Sequence, residues 1–289
     1  MRVWGEAKAW AMTRLATGAD PSTAALDAEV LLAFALDVTK EELLAHPERR
    51  LAPEDDARFA ALVARRQAGE PVAYLRGFKE FFGIRLHVDP RVLIPRPETE
   101  TLVEEALRFI GRTARDVTVV DVGTGSGAIA CAIALHARHA RIIATDASAD
   151  ALAVAQANAN TLGVADRIAF RQGDLLVPIA ERVDVVCANL PYLRDDELAS
   201  LVGERTSLAY EPRIAVVAGS EGLDVIERAV EDLPRVLAPN GAAFFECDPP
   251  QANTLAALME RAGLVTRVVR DLASNERVVT GALSGAGRR

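Results

Sequence analysis

The chain has 289 residues, half of them apolar and about a quarter charged, with a formal net charge of −8. That is enough to bury a sizeable core in one large domain or in a large and a small one. The acid excess argues against a surface built for nucleic acid, since phosphate binding leans on Lys and Arg. Cys131, Cys187 and Cys247 are widely spaced and form no CxxC, and His46, His87, His136 and His139 stand at no ligand spacing, so neither a disulfide framework nor a metal is expected.

The opening stretch MRVWGEAKAWAMTRLATGAD is amphipathic and broken by charge, so it reads as neither a signal peptide nor a membrane span. The expectation is a cytoplasmic chain without membrane contact. Helical periodicity predicts helices over about 3–16, from a Ser22/Thr23 cap to residue 36, near 39–45 and over 53–67, with PST, HPERRLAPED and AGEP as breaks. Residues 1–75 therefore read as a small helical bundle, slightly acidic overall.

At 78–88 the text changes. FKEFFGIRLHV places Gly83 between two aromatic or β-branched runs, which predicts a hairpin. DPRVLIPRPETETLVEEAL follows as a Pro-punctuated linker and a helix starting near Pro97, with Glu98 and Glu100 in its first turn. Residues 76–96 thus join the bundle to a second domain over 97–289.

From Val117 onward strands alternate with helices. The strands are VTVVDV, RIIATD, RIAFRQGD, VDVVCAN and AAFFEC; the helices run from Ala128 and over about 150–162, 222–237 and 251–262. Crossover connections of this kind build an α/β, doubly wound, mostly parallel sheet. VTRVVRD and RVVTGAL close the domain around a short turn at Ser274 and Asn275, so one of them is expected to run antiparallel.

Three successive strand ends carry chemistry. The first delivers Asp121, then Gly123, Thr124, Gly125, Ser126 and Gly127 at a strand-to-helix turn, where glycines allow a tight turn and close approach of a ligand. A tight turn alone would also explain them. The second ends in Asp146, a little over 20 residues beyond the glycines, where a carboxylate can accept from ribose hydroxyls; capping the next helix is the plainer alternative. The third ends in QGDLL, with Asp174 and Leu175 on the same rim. Acids and glycines on three strand ends suit an adenosyl ligand lying across the sheet. An acid beside the glycine turn would repel a diphosphate and suit a cationic ligand with a free amino group, which favours S-adenosylmethionine over a dinucleotide.

The fourth strand end reads Asn189-Leu190-Pro191-Tyr192. An Asn oxygen and a neighbouring backbone carbonyl are two acceptors able to hold both N–H bonds of a planar NH₂ group, and an aromatic ring can pack on its π-system. This NLPY stretch is similar to the Asn-Pro-Pro-Tyr motif of methyltransferases that act on nitrogen attached to an sp² carbon. Together with RRQAGEPVAYLRGFKEFFGIRLHVDPRVLIPRPETE, DVGTGSGAIA, YEPRIAVVAGSEGLDVI and DLASNERVV, it makes the chain resemble the release factor glutamine N5-methyltransferases of the HemK/PrmC family. Two departures stand out: Leu190 replaces the motif's first Pro, and Cys247-Asp248 replaces an aliphatic residue or His followed by Gly.

The resemblance implies a Rossmann-like S-adenosylmethionine methyltransferase sheet behind a helical substrate-binding domain. It implies transfer of a methyl group to the Gln of the Gly-Gly-Gln motif of class I peptide chain release factors, with S-adenosylhomocysteine as the other product. Asn189, Leu190, Pro191 and Tyr192 would form the catalytic pocket; Asp121, the residues 123–127, Asp146, Asp174, Leu175 and Asn189 would hold the cofactor. The chain is expected to act as a monomer, without metal or direct nucleic-acid binding. A glutamine methyltransferase of a ribosomal protein and an adenine N6 methyltransferase share the same chemistry and are the alternatives; the latter would need a basic, aromatic face for its base. A non-catalytic release-factor binding module and a dinucleotide oxidoreductase are more distant ones.

Overall fold

The computed structural model describes residues 1–18, 20–203, 207–219 and 222–283. The chain forms two units, Met1–Phe78 with Glu197–Glu211, and Lys79–Asp196 with Pro212–Arg289. Among the described residues no helix is long and apolar enough to cross a membrane, and no cluster of His, Cys, Asp or Glu could hold a metal ion.

The first unit is built on α1 (Trp4–Leu15), α2 (Ala24–Leu36), α3 (Lys40–Ala45), α4 (Pro53–Gln67) and α5 (Val72–Arg76). Trp4, Ala7, Ala11 and Leu15 recur at helical spacing on α1 and meet Leu31 and Leu32 of α2 and Phe59 and Val63 of α4 in one core. Thr39 caps α3 by accepting from the Glu42 amide at 3.1 Å. The expected Ser22/Thr23 cap is different. A single 3₁₀ turn, Pro21–Thr23, precedes α2, and neither hydroxyl caps it. Ser22 donates to Asp20 at 2.7 Å and Thr23 to Asp27 at 2.8 Å. The physical reason lies in Arg66, buried on α4, whose Nε donates to Asp27 at 2.7 Å and whose Nη2 reaches the Thr23 hydroxyl at 3.3 Å. The same guanidinium donates to Ser207 at 2.9 Å, and the Tyr210 hydroxyl to the Ala68 carbonyl at 3.0 Å. Those contacts bring into this unit a segment that the sequence places within 97–289.

The second unit opens with the expected hairpin, β1 (Phe78–Phe81) and β2 (Ile84–His87), turning through Phe82 and Gly83 at positive φ. Helix α6 (Thr99–Ile110) follows, and Glu100 in its first turn accepts from the Phe82 amide at 2.7 Å. Then come β3 (Val117–Val122), α7 (Ala128–His136), β4 (Ala140–Asp146), α8 (Ala149–Thr161), β5 (Ile168–Gln172), β6 (Val183–Ala188), α9 (Asp195–Gly203), which from Glu197 onward belongs to the first unit, α10 (Asp224–Val236), β7 (Leu237–Glu246), α11 (Ala252–Arg261), β8 (Leu264–Arg270) and β9 (Glu276–Leu283). The seven strands lie in the order β5-β4-β3-β6-β7-β9-β8. All are parallel except β9, which runs antiparallel to both β7 and β8.

Strands such as β3 and β6 are buried almost throughout, which only a sheet covered on both faces satisfies. Two apolar clusters do this. One joins Leu102, Val103 and Ala106 of α6 and the apolar α7 to Val119, Val185 and Phe244; the other joins Ile226, Ala229 and Leu233 of α10 and Leu255 of α11 to Val120, Val186 and Phe245.

One prediction concerns the buried ion pair. Removing Asp27 leaves the buried Arg66 guanidinium only the more exposed Asp20, at 3.6 Å, as a carboxylate partner, so Asp27→Ala should cost about 3 kcal/mol in urea unfolding. Replacing both partners, as Asp27→Leu with Arg66→Met, should cost less than the single change.

Candidate active site

The parallel registers Val122↔Thr145 and Val122↔Ala188 bring the ends of β3, β4 and β6 to one edge of the sheet. β5, paired with β4 up to Asp146↔Gln172, ends there too. A cavity opens over this edge, touched by Gly123, Gly125, Asp146, Asp174, Leu175 and Asn189. All six are cofactor candidates from the sequence. Leu190 and Pro191 also line it, whereas Asp121, Thr124, Ser126, Gly127 and Tyr192 lie outside the lining.

The turn after β3 needs its glycines. Gly123, Gly125 and Gly127 have φ of +67°, +53° and +79°. A Cβ on Gly123 would stand 3.0 Å from Leu190 Cδ2, so the turn and the β6 loop are in van der Waals contact. The Gly125 amide donates to Asp146 Oδ2 at 2.9 Å, and the Ser148 amide to Asp146 Oδ1 at 2.9 Å. Ser148, not Asp146, caps α8. Burial raises the Asp146 pKa, opposed by the backbone N–H bonds it accepts. With Gly125, Ser148 and Ala147 as backbone donors, the carboxylate still has capacity for a further donor.

Asp121 sits beneath the turn, wholly buried. Its Oδ2 accepts from Thr124 Oγ1 at 2.6 Å and from the Ala130 amide at 3.0 Å, while Oδ1 has no partner. Burial, with a smaller contribution from the Asp146 charge, pushes its pKa up to about 6. Asp174, in contrast, is exposed and paired with Arg228 at 2.6 Å. Leu175 takes φ +48° and its carbonyl accepts from Thr145 Oγ1 at 3.0 Å, which fixes the β5 end against β4.

At the end of β6 the half-buried Asn189 turns its Nδ2 to Thr99 Oγ1 at 2.9 Å. Tyr192 is held by its backbone: its carbonyl accepts from Gln251 Nε2 at 3.1 Å. Gln251 also receives the Asp248 amide on Oε1 at 3.3 Å, so the Cys247-Asp248 departure is absorbed in a closed 3₁₀ turn, Pro249–Gln251. Burial, then the nearby Glu246 charge, pushes the Tyr192 hydroxyl up to about 12, so it stays protonated and is no base. Beyond Tyr192, the Leu193 amide donates to the Val216 carbonyl at 3.0 Å, and the Ala218 amide to the Leu193 carbonyl at 2.9 Å. These bonds set Ile214 and Val217 as an apolar wall of the cavity.

Two residues hydrogen-bonded into this edge escape a reading of the sequence. Thr99, in PETE, reads only as a helix start. Asn158 accepts from the His87 amide at 2.7 Å and donates to the carbonyls of His87 at 3.0 Å and Ser126 at 2.8 Å, tying hairpin, α8 and glycine turn together. The one signal for it is an amide on the apolar side of a helix.

Residues 6–77 match the family described as PrmC N-terminal domain, and residues 101–207 the methyltransferase small domain. A release factor glutamine methyltransferase of Bordetella pertussis is 41% identical over 269 residues, 92% of this chain and 97% of that protein. Another, from Cereibacter sphaeroides, is 40% identical over 96% of this chain and 97% of its own. The chain belongs to the release factor glutamine methyltransferase family. A solved methyltransferase from Pyrococcus furiosus, 14% identical, shares the fold with a TM-score of 0.51 over 70% of this chain and 90% of that one. The expected Rossmann-like methyltransferase sheet is therefore the observed one.

In this member of the release factor glutamine methyltransferase family, Leu190 does more than stand in for a proline. Its side chain is buried and packs over Gly123, within the core cluster beneath the β6 loop.

The pKa of Asp121 gives the second prediction. A folded value near 6, above the usual 3.8, means that the neutral acid is favoured in the fold. Its stabilising effect is full below pH 4 and is lost as pH rises through 6. Asp121→Asn should therefore gain stability relative to the unmodified chain between pH 4 and pH 8, by up to about 3 kcal/mol, read as diverging Tm values.

Proposed function

We propose that the chain transfers a methyl group from S-adenosylmethionine to the side-chain amide nitrogen, N5, of the glutamine in the Gly-Gly-Gln motif of class I peptide chain release factors. S-adenosylhomocysteine is the other product. The observation that carries this reading is the Asn189 side chain. With Nδ2 committed to Thr99, its Oδ1 is left as an acceptor on the strand end that borders the cavity.

The residues around the cavity fit the cofactor. The glycine turn leaves backbone where a side chain would stand, the Asp146 carboxylate keeps capacity for ribose hydroxyls, and Asp121 Oδ1 is a buried acceptor without a donor. S-adenosylmethionine supplies, when bound, an electrophilic methyl on a sulfonium sulfur.

Everything else is positioning. A glutamine amide nitrogen is a poor nucleophile because its lone pair is delocalised into the carbonyl. Asn189 Oδ1 and the Leu190 carbonyl accept its two N–H bonds, pin it, and leave the lone pair free to turn toward the methyl group. A nitrogen–carbon bond forms as the carbon–sulfur bond breaks, and the cationic product nitrogen gives its extra proton to water. Pro191 walls the pocket, and Tyr192 follows it just outside the cavity lining. No side chain serves as a strong base, in keeping with a Tyr192 hydroxyl held protonated. One glutamine cannot supply specificity for a whole protein, so the helical unit is assigned to gripping the release factor. The chain is taken to act in the cytoplasm, where translation ends.

Asn189→Ala should lower turnover at least about a hundredfold while changing cofactor affinity less than about tenfold, because it removes an oriented acceptor rather than a binding surface. Asp146→Ala should do the reverse and weaken S-adenosylhomocysteine binding by about tenfold or more in calorimetry, through two lost charge-assisted hydrogen bonds. The reading as a whole is tested by transfer of labelled methyl to a purified class I release factor. The same factor with Gln→Ala in its Gly-Gly-Gln motif, duplex DNA, ribosomal RNA and ribosomal protein serve as rivals. Label confined to the unaltered release factor is the expected outcome; label on nucleic acid or ribosomal protein would overturn the substrate assignment.

A further inference from the structure

Glu246 ends β7 and is 1% exposed, as deeply buried as any acid on the sheet except Asp121. Its Oε2 has no hydrogen-bond partner, and its side chain takes a hydrogen bond from that of Thr99. Thr99 is itself 3% exposed and accepts from Asn189 Nδ2. Three side chains from α6, β6 and β7 thus form a line from the sheet interior to the cavity.

A hydroxyl has one proton. An ionised carboxylate carries only acceptors, so next to Glu246 the Thr99 proton must point at the carboxylate. Asn189 then finds only lone pairs on Thr99 and must offer an N–H to them. We propose that Glu246 and Thr99 are positioning residues that set the polarity of Asn189, keeping Oδ1 rather than the NH₂ group toward the substrate amide. This rests on the reading of Asn189 as the acceptor for a glutamine amide, and gives it a cause. With Glu246 protonated, the acid can donate to Thr99, Thr99 can donate to Asn189, and the carboxamide can turn its NH₂ to the pocket. Two NH₂ groups would then face each other.

The charges around Glu246 are mixed. Arg277 of β9 and Arg96 before α6 favour the ionised form, Glu98 opposes it, and Tyr192 is near and neutral. Burial outweighs the arginines and pushes the Glu246 pKa up to about 7. The ionised, polarity-setting form is therefore lost as pH falls through neutrality.

The experiment compares Thr99→Val, Thr99→Ser, Glu246→Gln and Asn189→Ala in the full chain, with release factor as substrate. Tm and S-adenosylhomocysteine affinity serve as fold controls. Thr99→Val keeps the shape and loses the hydroxyl, and should lower kcat by about ten- to a hundredfold with cofactor affinity kept within about twofold. Thr99→Ser should restore kcat to within about threefold, since only the hydroxyl is needed. The unmodified chain should show kcat rising with pH through about 7, a limb that Thr99→Ser keeps and Glu246→Gln loses.

Normal kcat in Thr99→Val beside an inactive Asn189→Ala would overturn the polarity relay and spare the reading of Asn189. Normal turnover in Asn189→Ala would overturn both. If Thr99→Val loses cofactor binding and kcat together, or if Glu246→Gln keeps the acid limb, the line of side chains is structural only and the proposal fails.

Discussion

The site depends on one pairing, that of β3 with β6. Because the two strands are parallel neighbours, with Asp121 opposite Cys187 and Val122 opposite Ala188, they end together, and the glycine turn and Asn189 emerge side by side. A glycine at 123 lets the Leu190 side chain lie against the turn, so the glycine turn and the β6 loop share one contact. A register slip of one residue would turn Asn189 into the sheet and lift Leu190 off the turn. The outer strands then complete the edge: β4 and β5 bring acids to one side, and β7 brings Glu246 to the other. Ligand sites at the carboxyl ends of parallel strands follow from this geometry in doubly wound sheets.

The same edge gathers three carboxylates that burial pushes toward the neutral form. They are Asp121, Asp146 and Glu246, and two of them keep an oxygen without a partner. Such groups weaken a fold at neutral pH, and acids so perturbed cluster where a site needs them. Elsewhere burial is met by pairing, as with Asp27 and Arg66 in the helical unit, and Glu181 pairs with Arg171 at the surface.

Much of this was legible in the residues. Continuous apolar runs before Asp121, Asp146 and Asn189 announce buried parallel strands, and glycines at 123, 125 and 127 announce a turn that needs positive φ. The antiparallel β9 follows from the short turn at Ser274, which itself takes φ +67°. Other parts carry no local signal. The five residues of α5 are too few for a period, and β7 begins at Leu237, through residues that look like a turn. The apparent Ser22/Thr23 cap yields to the needs of buried Arg66, which is 39 residues away from Asp27 in the chain. Thr99 illustrates the general difficulty: its hydroxyl matters through Asn189 and Glu246, and only folding brings these three together.

In the proposed mechanism two acceptors hold the two N–H bonds of one planar amide. A glutamine methylated once has a single N–H left and a methyl group where the second had been, so it no longer satisfies Asn189 Oδ1 and the Leu190 carbonyl together. The most direct measurement is the mass of the modified release factor peptide after prolonged incubation with excess enzyme and cofactor. A gain of one methyl group, on the glutamine and never two, is the predicted result. Accumulation of a dimethylated glutamine would show that the nitrogen reacts without both hydrogens being held, and would overturn the proposed mechanism.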